Sequence, residues 1–202
     1  MRAIIFDIDG TLLQSMAGDC EILERSICGV LGSVHFRDNY NSYDNVTDRG
    51  IIEELMTDNG LKPDSKRVGS IRDIFVRDFS EHIEASGPFK EVPGAAQFLE
   101  RLNIDTETRV AIATGCWQES ALLKLNSSGV EISGIPIATC DDSASRTEIM
   151  QLALRKLDGE FDSVTYFGDA QLDADACRTL EWNFIAVGSD LRGIDSYEGF
   201  SF

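Results

Sequence analysis

The sequence predicts an α/β fold, a parallel sheet covered by helices on both faces, with an all-helical segment inserted after the first strand. Three features point there. Five short apolar runs end in Asp, Thr or Gly, helical patterns lie between the later runs, and one long early stretch holds helical patterns but no convincing strand.

The first run, residues 2–8, is apolar until it reaches Asp7 and Asp9. A buried parallel strand looks like this when it delivers polar groups to its carboxyl edge. Residues 109–113 end at Thr114-Gly115, 135–139 at Asp141-Asp142, 163–167 at Gly168-Asp169, and 184–187 at Gly188. Helical patterns fill 94–102, 119–127, 146–157 and 174–180. In such sheets a ligand sits beyond the carboxyl ends of the strands.

Residues 15–86 break the alternation. Ile22, Leu23, Ile27, Val30 and Leu31 recur at helical spacing. Ile51, Ile52, Leu55 and Met56 do the same, with Thr47 or Asp48 as N-cap and Gly60 as the stop. A third helix carries Val68, Ile71, Phe75, Phe79 and Ile83 after Pro63 and an N-cap Asp64. The expected division is a core of residues 1–14 and 87–202 and a helical insertion of residues 15–86.

The chain has 202 residues, enough to bury a core without disulfides. Its formal net charge is −17. Such a surface repels nucleic acid and anionic lipid, so neither is expected as a partner. No apolar run is long enough to span a membrane. The N-terminal run is too short for a signal peptide. Five cysteines without a Cys-x-x-Cys pair read as buried, reduced thiols of a cytoplasmic protein.

The sharpest motif is Asp7-Ile8-Asp9-Gly10-Thr11-Leu12. Period-two alternation would put Asp7 and Asp9 on one face, where two carboxylates repel and want a cation. A phosphoryl group needs a nucleophile, a cation to spread its charge and a proton donor for the leaving oxygen. Asp7 can attack phosphorus, and Asp9 can protonate the leaving oxygen and then activate water. Asp7 and Asp169 are hard oxygen ligands suited to Mg²⁺. The Thr114 hydroxyl and the backbone N–H groups from Gly115 onward can hold phosphate oxygens at a helix start. Arg146 supplies fixed positive charge, and Asp173 is expected to orient Arg146 or a metal-bound water.

These motifs resemble those of the haloacid dehalogenase-like (HAD) hydrolases with a helical cap, the phosphoglycolate-phosphatase-like group. The resemblance covers essentially the whole chain and implies a Rossmann-like core, with residues 15–86 as the cap. It implies Asp7 as nucleophile, Asp9 as general acid/base whose main-chain carbonyl also binds Mg²⁺, Thr114 as the second motif and Gly168–Asp173 as the acidic fourth motif. The third motif departs from the commonest pattern, which has Lys. Arg146 is the only basic residue between Asp141 and Glu148, and it is always charged and can chelate two phosphate oxygens. If Arg146 were a surface ion pair, Lys124 or Arg49 would be the next cation.

The resemblance also implies that dehalogenases and phosphonatases lack the acid at Asp9, and the Lys-Thr-Gly-Thr of transport ATPases is absent. The expected function is Mg²⁺-dependent hydrolysis of a small phosphorylated metabolite, a phosphomonoester, through an aspartyl phosphate. Phosphoglucomutase-like transfer, or a weakly catalytic protein that binds a phosphorylated ligand, are the alternatives. His35, His82 and Cys116 carry no expected chemistry. Trp117 either stacks on substrate or packs under the cap, and Asp44, Asn45, Thr47, Asp48 and Arg49 are candidates to meet the leaving group.

Overall fold

The computed structural model describes residues 1–15, 18–188 and 191–202. Met16 and Ala17 of the expected insertion, and Ser189 and Asp190 of the expected core, lie outside the described residues. Five parallel strands, β1 (Arg2–Phe6), β2 (Thr108–Ala113), β3 (Ile137–Ala138), β4 (Ser163–Gly168) and β5 (Asn183–Ala186), form one sheet in the order β3-β2-β1-β4-β5. The chain builds outward from β1 to β2 and β3, then crosses to β4 and β5. The crevice therefore opens at the carboxyl end of β1, between β2 and β4, where strand order reverses.

β1 is central, and Ala3, Ile4, Ile5 and Phe6 are fully buried, as a strand covered on both faces requires. It ends at Phe6, two residues before the sequence suggested. The N–H groups of Leu12 and Leu13 both donate to the Ile8 carbonyl at 2.9 Å, so the chain coils back on itself after Asp7. β3 is only two residues long, and the last core helix starts at Gln171 rather than Ala174.

Helices α1 (Asp19–Leu31), α2 (Asp48–Asp58) and α3 (Ser65–Ser86) make the cap, joined by loops and one short 3₁₀ turn. Thr47 caps α2, its side chain accepting from the Gly50 N–H at 3.0 Å, and Asp64 caps α3 by accepting from the Lys66 N–H. The two connections from cap to core run side by side: Gln14 N–H donates to Lys90 O at 2.8 Å and Val92 N–H to Leu12 O at 2.9 Å. In the core, α4 (Ala95–Ile104), α5 (Gln118–Ser128), α6 (Arg146–Arg155) and α7 (Gln171–Leu180) cover the sheet.

Two apolar clusters matter for the site. Phe6, Phe98, Phe167 and Tyr197 pack together on the sheet. Trp117, at the start of α5, is buried against Phe75 of α3, with ring centroids 5.3 Å apart. Trp117 thus packs beneath the cap and ties it to the core. The cysteines are free, but only Cys116, Cys140 and Cys177 are buried. Cys20 and Cys28 lie exposed on α1, contrary to the expectation of buried thiols, because they fall off its apolar stripe of Ile22, Leu23 and Ile27. Among the described residues no helix is long and apolar enough to cross a membrane.

Candidate active site

Loops leaving the strand ends put the predicted residues around one cavity of about 200 Å³. Asp7 and Asp9 enter it after β1, Thr114 and Gly115 after β2, and Asp169 after β4. Arg146 reaches in from the first residue of α6, and Val46, Thr47 and Asp48 close the cavity from the cap.

Asp7 is 5% exposed. Burial pushes its carboxyl up to about 8; Arg146 opposes this, while the charges of Asp173, Asp9 and Asp169 add to it. Burial, helped by Asp173, likewise pushes Asp169 up to about 6. One oxygen from each of Asp7, Asp169 and Asp173 lies within 4.8 Å of the others. These are hard donors in a group that lacks enough positive charge, a donor set that fits a divalent cation such as Mg²⁺.

Asp173 is fully buried and already engaged. Its Oδ1 lies 2.7 Å from Arg146 Nη1, and its Oδ2 accepts from the Ala170 N–H at the start of α7. A Cβ on Gly168 would come 2.5 Å from Asp173 Oδ2, so the close approach of Asp173 requires glycine there. Arg146 Nη1 also lies 3.5 Å from Asp7 and 3.5 Å from the Tyr166 hydroxyl. Its Nε is buried without a partner among the described residues, and its Nη2 comes 3.3 Å from the position of a Cβ on Gly115. The guanidinium is anchored at one corner and has donors to spare.

Thr114 is buried, and its hydroxyl oxygen accepts from the Cys116 N–H at 3.2 Å, leaving its own proton free to donate. The start of α5 differs from the expected anion cradle. The Trp117 N–H donates to Asp48 Oδ2 at 3.3 Å and the Gln118 N–H to Asp141 Oδ2 at 2.8 Å. Two of those donors are therefore satisfied by protein carboxylates.

Lys124 has a different place from the one sequence reading considered for it. It is 3% exposed, and its ammonium lies 2.8 Å from both Asp9 oxygens and 2.9 Å from Asp19 of α1. The Cys116 thiol donates to Asp9 Oδ2 at 3.2 Å. Burial alone would raise the Asp9 carboxyl, but the Lys124 ammonium, with the Cys116 hydrogen bond and Arg146, holds Asp9 below its ordinary value. The signal was present in the sequence. Trp117, Ser120, Ala121, Lys124 and Leu125 recur at helical spacing on the buried face of α5. A lysine on such a stripe must find buried carboxylates.

Arg49 turns away, pairing with Glu53 at 2.8 Å and lining a separate cavity. The cap is seated on the core by polar contacts as well as by Trp117: Asp48 N–H donates to Gly115 O at 2.9 Å and the Thr47 hydroxyl to Ala144 O at 2.8 Å.

The comparison that decides the family is a model described as haloacid dehalogenase-like hydrolase, which matches residues 4–187. The chain belongs to the haloacid dehalogenase-like hydrolases. Solved structures agree on the fold. A hydrolase from Pseudomonas syringae aligns with a TM-score of 0.71 at 20% identity over 94% of this chain and 87% of that one. CbbY from Rhodobacter sphaeroides, in complex with phosphate, gives 0.67 at 21% over 96% and 87%. A beta-phosphoglucomutase from Clostridium difficile gives 0.70 at 15% over 99% and 93%. No curated protein matches the sequence significantly.

Proposed function

We propose that this protein is a Mg²⁺-dependent phosphatase of small phosphomonoesters, acting in the cytoplasm through an aspartyl phosphate on Asp7. The observation that carries this reading is the convergence of Asp7, Asp9, Thr114, Arg146 and Asp169 on one cavity beyond the sheet's carboxyl edge. That CbbY, which shares the fold, is solved in complex with phosphate supports a phosphoryl ligand.

Asp7 and Asp169 would hold the metal through their carboxylates and Asp9 through its main-chain carbonyl. Mg²⁺ bound there offsets the charge of the phosphoryl oxygens and of the acids around them. Arg146 and the Thr114 hydroxyl hold the remaining oxygens, with Gly115 leaving room for them. Asp173 acts through Arg146, fixing the guanidinium. Asp7 attacks phosphorus, the ester P–O bond breaks, and the leaving oxygen takes a proton. Asp9, held as a carboxylate by Lys124, first receives that proton from the phosphate monoanion, whose second ionisation falls near pH ~6. In the second half Asp9 takes a proton from water, which attacks phosphorus and frees Asp7.

The test is turnover of p-nitrophenyl phosphate with Mg²⁺, with chelator, and by Asp7→Asn. Phosphate release that needs both Mg²⁺ and Asp7 supports the reading, and equal rates in all three contradict it.

A further inference from the structure

The cavity around Asp7 shares Val46 and Arg146 with a second cavity of about 460 Å³ between the cap and the starts of α6 and α7. The second space adjoins the inner one on the cap side, through Val46 and Arg146. Its polar lining includes Asn41, Asn45, Thr147 and Gln171, together with the acids Asp44 and Asp175. Among the described residues Arg146 is the only cation lining either cavity. The other nearby cations are engaged elsewhere: Lys124 with Asp9 and Asp19, Arg49 with Glu53, and Arg178 with Asp175.

Asp48 is the cap's own charged group in the inner cavity. Its carboxylate accepts one 3.3 Å hydrogen bond, from the Trp117 N–H, and pairs with no cation among the described residues. A second phosphate or a carboxylate on the substrate would meet the acid Asp48, and Lys124, the cation acting on it, is already engaged with Asp9 and Asp19. A hydroxyl or ammonium would give Asp48 the donor it lacks.

We infer that the site takes a monophosphate whose alcohol part carries a hydrogen-bond donor and no second anion, with Asp48 accepting from that donor as a specificity-determining residue. This rests on the phosphatase reading above and narrows it. It also points away from phosphoglycolate, the substrate that names the group the sequence resembles.

The experiment compares kcat/KM for glycerol phosphate, ethanolamine phosphate and phosphoglycolate, three esters of similar size, with p-nitrophenyl phosphate as reporter of chemistry. The wild-type protein should prefer at least one of the first two over phosphoglycolate by about tenfold or more, the scale of an unmatched polar group in a desolvated site. Glycerol phosphate and ethanolamine phosphate separate a hydroxyl from an ammonium donor. Asp48→Asn, which removes the charge and retains an acceptor for Trp117, should narrow that preference through KM. Phosphoglycolate handled as well as the better of the two donor esters, or a preference unmoved in folded Asp48→Asn, would overturn this inference while leaving the phosphatase reading intact. Failure to turn over any of the four esters would overturn both.

Discussion

Asp7 sits in an environment that costs stability and serves chemistry. Its carboxyl is pushed up to about 8 because it is buried among Asp9, Asp169 and Asp173, with Arg146 the one close cation among the described residues. Asp7→Asn removes the nucleophile, and we expect turnover to fall by several orders of magnitude. The same change removes a buried charge, so the metal-free variant should melt higher than wild type near pH ~8. Calorimetry and a rate assay on one preparation check both halves; a variant that is active, or less stable, contradicts the assignment. Lys124 is the complementary case. Lys124→Met strips Asp9 and Asp19 of their shared partner and should destabilise by about 3 kcal/mol, the usual scale for breaking a buried pair. Among molecules that remain folded, the Asp9 carboxyl should rise, shifting the pH–rate profile for alkyl phosphates toward higher pH. A purely structural lysine would lower folded yield and leave the profile where it was.

At the scale of elements, the cap is held by the turn that starts α2. Thr47 accepts from Gly50 N–H within the cap and donates to Ala144 O across the cleft. Thr47→Ala should therefore cost about 1 kcal/mol of stability as a lost N-cap and raise KM as the seat loosens, while Thr47→Ser keeps both bonds and both values. Unchanged KM in folded Thr47→Ala would show that the seat does not guide substrate. Gly10 is the tightest point of the first loop. It has φ +67°, and a Cβ there would come 2.0 Å from Asp169 Oδ2. Gly10→Ala should displace Asp169 and raise the Mg²⁺ needed for half-maximal rate; an unchanged requirement would separate Asp169 from the metal. Much of this was legible in the sequence. Strands ending in Asp7, Thr114 and Asp169 announce the carboxyl edge, and three helical stripes announce the insertion. Residues joined by tertiary contact were harder to read. Thr47 and Asp48 both suited the N-cap of α2; Thr47 takes it, while Asp48 crosses to Trp117. Lys124 lies ten positions after Thr114, and its partners come from β1's loop and α1.

For the whole molecule, the parallel order β3-β2-β1-β4-β5 gathers acids from distant segments at one edge. Asp7, Asp48 and Asp169 have carboxyls raised, chiefly by burial, to about 8, about 7 and about 6. Each lies above its ordinary value of 3.8, so its contribution to stability is full in acid and is lost as pH rises through those values. Asp9 runs the other way, but its contribution is already complete above its unfolded value. Chelator-treated protein should therefore melt lower at about pH 8 than at about pH 5, and the stabilisation by Mg²⁺ should widen over the same range. A Mg²⁺ increment that is flat or shrinks with pH would speak against a metal among these carboxylates.

The covalent step on Asp7 is tested most directly with Asp9→Asn. An aryl leaving group needs little protonation, so this variant should still transfer the phosphoryl group to Asp7 but lack the base that opens the intermediate. Mixed rapidly with p-nitrophenyl phosphate and Mg²⁺, it should release a burst of about one nitrophenol per protein, followed by a slow phase, with the phosphoryl group found on Asp7 by mass spectrometry. Release with no burst and no modified Asp7, at a rate set by direct attack of water, would contradict the account.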